Sequence, residues 1–475
     1  MQARTRHNPK QLYGQRGTAY IVALLVVTVL AAVALVFARQ MRTEALVASN
    51  QTAHSQARWI ALGVLEAVRG DLTQSLQNGE YPRLDTVEAE GGQMAGGYYW
   101  IIGRGETDRG YTFGLIGESS KLNLNTVNYE ELIELPGVSE DLAAAIIDWR
   151  DGDSDVTPGG AEADYYSAQR PGYAPRDAAF ESVGELMLVK GMTYELLYGE
   201  DANRNGVLDP NERDGDENPP NDNGDNNLDP GLIDYLSVEP LERNATLSGD
   251  DRINLNQANA QTISALSTLL NERFSEKRAS EILAATASIA GSITSPLQYH
   301  ITANLSQAEF DALYDNIAVT GQNNLRGLVD IYTASAEVIE TIQGLDPGDG
   351  ELIVAGRPVL QEGEDPGAIG WLTDLIGNDK SIIIGGRLTN HSRQFTVDIV
   401  AVTADGRSFC RLRAVVNTLT VTGDEPALPR IEAIEDLTHL GWPLSPVILD
   451  QLSQEGTLPD EAVMTEVWDQ EEADR

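Results

Sequence analysis

Twenty-one consecutive residues, Thr18 to Ala38, carry no charged side chain. As an α-helix rising about 1.5 Å per residue, such a run is roughly 30 Å long, the thickness of a bilayer's hydrocarbon core. Arg4, Arg6, Lys10 and Arg16 precede it with no acidic residue among them. The positive-inside bias therefore keeps the first 17 residues cytoplasmic and sends the remainder across the membrane. A cleaved secretory signal would have a shorter apolar core and end in a small-x-small site, whereas this run ends Val36-Phe37-Ala38-Arg39.

Gly17 stands between the basic segment and the apolar run. The pattern Gln15-Arg16-Gly17-Thr18-Ala19-Tyr20-Ile21-Val22 resembles the type IV prepilin leader, which is cut after its glycine. The resemblance implies a leader of residues 1–17, a prepilin peptidase that removes it, and a mature chain that begins at Thr18. Most pilins and pseudopilins carry glutamate at the fifth mature position, and here that position is Val22. Lack of the glutamate is a trait of the type II secretion minor pseudopilin K family (GspK), which this pattern resembles.

Helical spacing continues beyond the membrane. No proline occurs from Glu44 to Leu72, and Leu46, Ala53, Ala57, Ile60, Ala61, Val64, Ala67 and Val68 line one face. Gly63 and Gly70 stand near the expected end. Residues 18–72 are thus expected to form one transmembrane and stem helix about 80 Å long, the shape of a pilin stem.

The formal charge is −40 at pH 7, from 33 basic and 73 acidic residues, and becomes −44 once the four basic residues of the leader are gone. So acidic a chain repels phosphate backbones and attracts divalent cations, which makes nucleic acid a poor partner. Cys410 is the single cysteine, so no internal disulfide can form. Length allows two or three compact units after the stem.

The runs Gly97-Tyr98-Tyr99-Trp100-Ile101-Ile102 and Tyr111-Thr112-Phe113-Gly114-Leu115-Ile116 read as a pair of strands packed on the stem. In Lys121 to Arg150, Asn128 and Glu131 fit a capping box, Pro136-Gly137 breaks the helix, and Leu142, Ala145, Ile146 and Trp149 form an apolar face on the next. This reads as a helix-hairpin-helix. The entry pattern recurs at Ile253-Asn254-Leu255-Asn256-Gln257-Ala258-Asn259 and at Val329-Asp330-Ile331-Tyr332-Thr333-Ala334-Ser335, so the unit is repeated. Such units often grip DNA phosphates. Here Glu140 and Asp141 follow the first hairpin, and Asp346, Asp349 and Glu351 the third, where phosphate contacts require cations. A packing module is the better reading.

The segment Asp148 to Met192 carries the nearest family resemblance. An acidic-Tyr element, Glu162-Ala163-Asp164-Tyr165-Tyr166, precedes a Pro-x-Tyr loop at Pro171-Gly172-Tyr173. Ser182-Val183-Gly184-Glu185-Leu186 and Gly191-Met192 follow. These blocks resemble, in order, those that follow the first hairpin module in GspK. The resemblance implies a single-pass protein of the bacterial inner membrane with its globular part in the periplasm. It also implies a place at the pseudopilus tip and partners among the minor pseudopilins of types I and J, packed through their stem helices.

Asp201, Asn203, Asn205, Gly206, Val207, Asp209 and Glu212 occupy positions 1, 3, 5, 6, 7, 9 and 12 of an EF-hand-type loop. Side-chain oxygens at 201, 203 and 205, the Val207 carbonyl, Asp209 through water and both oxygens of Glu212 would hold calcium (Ca2+). Asp214, Asp216 and Glu217 could supplement them. An echo follows at Asn221, Asn223, Asp225 and Leu228-Asp229-Pro230, with Asp222 and Asp234 as further acids. Leu232 stands where the bidentate closer belongs, so a second ion there is an open question.

Residues 260–320 read as a helical insertion of unassigned role, Gly344 to Gly370 as loop, and 394–402 with 408–416 as a hairpin about Asp405-Gly406. The five histidines are scattered and no catalytic motif is found, so an enzyme is not expected. The expected fold is α+β: a stem helix, a small β-sheet, helix-hairpin-helix-like modules and a C-terminal β-hairpin. Its expected parts are the leader 1–17, the stem 18–72, a globular domain 73–245, a helical region 246–345, a β region 346–425 and an acidic segment 426–475. The expected function is structural, in type II protein secretion. The alternative is a membrane-anchored, calcium-dependent extracytoplasmic binding protein outside any pilus.

Overall fold

One helix, α1 (Gly14–Asn78), takes up the apolar run and the stretch behind it without a break in the computed structural model. The structure describes residues 14–104, 110–213, 215, 218–238, 240–360, 366–419 and 428–458. Gly17 and Thr18 lie in α1 as helical backbone, while the rest of the expected leader, residues 1–13, lies outside the described residues. Gly63 and Gly70 do not end the helix. It stops at Gly79, whose φ of +82° supplies the left-handed cap, with the Glu80 amide donating to the Ser75 carbonyl at 3.0 Å.

Two units are distinct, Met1–Gln56 and Ala57–Arg475. In the first, large apolar side chains such as Leu24, Leu30 and Phe37 are exposed. The second begins within α1 and contains all the other elements. In chain order these are β1 (Gly92–Met94), β2 (Gly97–Ile102), β3 (Ile116–Gly117), β4 (Leu122–Asn123), α2 (Tyr129–Ile133), α3 (Glu140–Arg150), α4 (Ala163–Ser167), α5 (Tyr194–Tyr198), α6 (Leu232–Tyr235) and β5 (Leu236–Ser237). Next come β6 (Leu241–Arg243), β7 (Ile253–Asn254), α7 (Ala260–Arg273), α8 (Glu276–Ile289), α9 (Pro296–Thr302), α10 (Gln307–Tyr314), β8 (Ile317–Ala318), β9 (Asn324–Arg326) and β10 (Val329–Asp330). The remainder are α11 (Ala336–Glu340), α12 (Asp349–Ala355), α13 (Leu372–Ile376), α14 (Asn378–Ile384), β11 (Leu388–Thr389), β12 (Gln394–Thr403), β13 (Phe409–Asn417), β14 (Arg430–Asp436) and α15 (Pro446–Glu455).

A sheet in the order β1-β2-β12-β13-β14, with β3 also on β12, forms the platform. Alternation along β12 divides it between two cores, because successive side chains point to opposite faces. Phe395, Val397, Ile399 and Ala401 face Ala57, Ile60, Ala61, Val64, Leu65, Val68 and Leu72 of α1. Val400 and Val402, with Trp100 and Ile102, face Ile448 and Leu452 of α15. The helix stripe is thus shifted from expectation: Ala67 is exposed and Leu65 and Leu72 are buried in its place.

The strands near residue 100 are not a pair of their own. β2 runs antiparallel to β12, with Trp100 opposite Val400, some three hundred residues away in sequence. Of the run Tyr111–Ile116, Phe113 makes a single bridge to Ile102, and Ile116 begins β3 on β12. The boundary drawn between a domain 73–245 and a β region 346–425 therefore does not hold: the amino-terminal strands and the carboxy-terminal hairpin are one sheet, and the helical modules are inserted between them. Local patterning reveals strands but not partners so distant in sequence.

The inserted helices share one apolar core, from Leu122 to Leu388. They are organised by repetition. β4, β7 and β10 each pair in parallel with a later two-residue strand, β5, β8 and β11. The last residue of each, Asn123, Asn254 or Asp330, accepts the amide two residues on at 2.8, 3.1 and 3.1 Å. Five residues after it, Asn128, Asn259 or Ser335 caps the next helix. Arg150 in the first copy and Arg357 in the third donate to equivalent carbonyls, Leu124 with Val127 and Ile331 with Ala334. Within the second copy, α7 to α10 fill the chain between β7 and β8.

Candidate metal centre

The 201–212 loop folds on its own carboxylates. Asp201 accepts the amides of Asn205 at 2.9 Å and Gly206 at 2.7 Å. Gly206 has φ of +84°, and a Cβ there would sit 2.6 Å from Arg104 Nη1, so glycine suits the turn on both counts. Glu212, at the closing position, accepts the Asn203 amide at 3.2 Å on one oxygen and the Asp209 amide at 2.9 Å on the other. Asp209 accepts the side-chain amides of Asn203 at 2.6 Å and Asn205 at 2.9 Å. Asn203 Oδ1 is buried without a donor.

Electrostatics favour an added cation. Burial pushes Glu212 up to about 8 and raises Asp209, and their mutual repulsion with Asp201 acts in the same direction. Arg104 reaches Asp201 at 3.1 Å and Asp234 at 3.0 Å. The loop gathers oxygen-bearing side chains of the kind an EF-hand-type site uses, with an orphaned oxygen at position 3. The three carboxylates are not drawn to within 4.8 Å of one another; among the described residues such grouping occurs at Asp151, Asp153 and Glu162 instead. Amides hold the loop's carboxylates apart. Asp214, Asp216 and Glu217 lie outside the described residues.

The sheet anchors the loop. Arg411 on β13 donates to the carbonyls of Asn203 and Arg204, and Asn205 donates to the Pro443 carbonyl at 2.8 Å. Arg204, with φ of +58°, lays its guanidinium 4.0 Å from the Tyr198 ring centroid.

In the echo, Leu232 is buried in the apolar core and supplies no ligand. Glu200 takes the closing role. It accepts the amides of Asn223 at 2.8 Å and Asp229 at 3.2 Å, the third and ninth positions, as Glu212 does in the first loop. Its own amide donates to the Asp229 carbonyl at 3.1 Å, matching Glu212 to Asp209 at 2.9 Å. Asn223 donates to Asp229 at 2.8 Å, and Asn226 has φ of +64° where the first loop has Gly206. Glu200 stands twenty-one residues before Asn221, the first position of the echo, so a forward-reading motif passes over it.

Comparison with known proteins places these features. Residues 117–198 match the family model described as type II secretion system (T2SS), protein K. Type II secretion system protein K of Pectobacterium carotovorum subsp. carotovorum is 26% identical over 206 residues, covering 38% of this chain. The chain spans 60% of that relative's length. The crystal structure of the GspK-GspI-GspJ complex from enterotoxigenic Escherichia coli aligns with a TM-score of 0.43 and 12% identity, over 82% of this chain and 98% of that one. The matched segment contains the first repeat and every block of the resemblance from Asp148 to Met192, and over that segment the chain is similar to the type II secretion system protein K family.

Proposed function

We propose that the chain is a minor pseudopilin of the type II secretion machine, a structural part of protein export with no catalytic role. The observation that carries this reading is the protein K match over residues 117–198. α1 supports it, since it includes a stretch long and apolar enough to cross a membrane, with that stretch exposed. In this reading the apolar amino-terminal part of α1 sits in the inner membrane, the unit from Ala57 lies in the periplasm, and prepilin peptidase cuts after Gly17.

The tip position follows from Val22. In a pilus the glutamate at that place pairs with the amino terminus of the subunit ahead, and a capping subunit has none ahead. Minor pseudopilins of types I and J are the partners, met through the stem helices. The repeated helical modules pack the protein together and do not bind DNA. Calcium is a structural ion held by Asp201, Asn203, Asn205, Val207, Asp209 and Glu212, with Glu200 closing the second loop.

The test is assembly. Full-length chain co-expressed with the I- and J-type minor pseudopilins of its own secretion system and extracted in detergent should elute with both. Elution of the chain alone, with the two others together, would count against the reading.

A further inference from the structure

Where the helical insertion meets the sheet, one histidine is held with a ring nitrogen toward a carboxylate. His391 stands between β11 and β12 and Glu242 on β6; each is 6% exposed, and His391 Nε2 lies 3.4 Å from Glu242 Oε1. The other ring nitrogen fixes the tautomer. Asn390 donates its side-chain NH2 to the carbonyls of Pro366 at 3.3 Å and Gly367 at 3.2 Å, which turns its Oδ1 to His391 Nδ1 at 2.8 Å. An amide oxygen only accepts, so Nδ1 carries the hydrogen. In the neutral ring Nε2 is then a bare acceptor facing another acceptor, and it is buried without a hydrogen-bond partner.

Charged and titratable groups from several elements surround the pair. Tyr81, behind α1, stacks on His391 with ring centroids 3.8 Å apart and donates to Asp315, behind α10, at 2.6 Å. Arg252, ahead of β7, bonds Glu242 at 3.0 Å and Asp315 at 3.2 Å, and Thr389 of β11 donates to the other Glu242 oxygen at 2.9 Å. Arg393, ahead of β12, stands 5.6 Å from the Tyr81 ring centroid, and Asp330 on β10 lies within reach of the imidazole's charge. Burial pushes the Glu242 carboxyl up, but protonated His391 and Arg252 outweigh that and hold it well below the usual range. A small hollow lined by Tyr81, Glu242, Arg243, His391 and Arg393, with exposed Ser248 and Gly249 at its edge, gives protons a route to the ring.

We propose that His391 is a proton-operated latch, fastening the helical insertion to the sheet in acid and releasing it as pH rises. With a second proton on the ring, Nε2–H donates to Glu242 and the contact becomes an ion pair. Loss of that proton leaves a lone pair against a carboxylate. The charged ring belongs to the closed junction, so the latch's contribution is complete in acid and is lost as pH rises through about 5–8, where histidine changes charge. The latch depends neither on calcium nor on the secretion reading.

Amide exchange of the full-length protein in detergent, corrected for the chemical rate at each pH, reads the junction locally. Protection of 241–253 and 388–393 should fall at least tenfold between about pH 5.5 and about pH 8, the span of histidine titration. His391→Phe keeps an aromatic ring against Tyr81 but cannot titrate, and should reduce the fall to less than twofold. Should that variant not fold, Asn390→Ala decides: with Nδ1 released, the neutral ring can carry its hydrogen on Nε2 and still donate to Glu242, so the fall should shrink to threefold or less. Glu212 also titrates near the upper end of this range, but it is common to all three proteins and lies outside both segments. Protection in wild type that ignores pH, or a fall as steep in either variant as in wild type, overturns the proposal.

Discussion

Arg411 joins the sheet to the acidic loop: its Nη2 lies 2.8 Å from Asp398 Oδ2 and 2.6 Å from the Arg204 carbonyl. Asp398 is fully buried on β12 and is also met by Arg413 at 2.7 Å. Burial pushes its carboxyl up, but the two guanidiniums outweigh that and hold it well below the usual range. Asp398→Ala would leave Arg411 buried and uncompensated. A loss of about 3–5 kcal/mol is expected, as for other broken buried pairs, to be read from chemical denaturation midpoints. A loss below about 1 kcal/mol, the scale of an exposed pair, would show that the network is unimportant.

Calcium should stabilise the protein by mass action, about 2.7 kcal/mol per site at a hundredfold excess over the dissociation constant. Glu212→Gln removes the closing carboxylate of one loop and Glu200→Gln that of the other, so each should lose one increment of the calcium-induced rise in melting temperature. Leu232→Ala should leave that rise in place although it lowers stability, because Leu232 packs in the core and closes no site. A melting curve indifferent to chelator would make both loops solvated turns.

The α8–α10 contact is sensitive to acid. Arg278 grips Glu309 with two bonds, at 2.7 and 2.9 Å. That hydrogen bonding, against the opposing effect of burial, lowers Glu309 to about 2. An unfolded glutamate titrates at about 4.3. The pair's contribution is therefore complete above that value and is lost as pH falls toward 2. Glu309→Gln should lower stability at pH 7 by about 1–3 kcal/mol, the worth of bonds to a charged group. The difference between variant and wild type should close by pH 2; one that persisted there would assign the effect to packing.

Legibility differed by the range of the interaction. α1, the Asn128 capping box and the alternation of β12 depend on neighbours a few residues apart, and all were readable. Asn123, Asn254 and Asp330 were visible as a repeat, though not the parallel strand that each entry pairs with. The partnership of β2 with β12 was hidden, as was the closing role of Glu200, because nothing local marks a partner reached only through the finished fold. In the 201–212 loop the candidate donor residues were evident, whereas the arginines that hold it, Arg104 and Arg411, stand in other elements and carry no motif.

Nucleic acid offers a simple contrast. With acidic residues following two of the three repeats, the chain has no cation cluster there for phosphates. The full-length protein in detergent should leave duplex DNA unshifted at physiological salt. Binding that weakens steeply with salt would overturn the packing role of the repeats.

The cut after Gly17 tests the pseudopilin account most directly, because a plain membrane anchor has no need of it. Amino-terminal sequencing of the chain expressed with prepilin peptidase should find Thr18 first, and Gly17→Ala should leave the precursor intact. An unprocessed Met1 in the wild type, or a start near Ala38, would contradict the account.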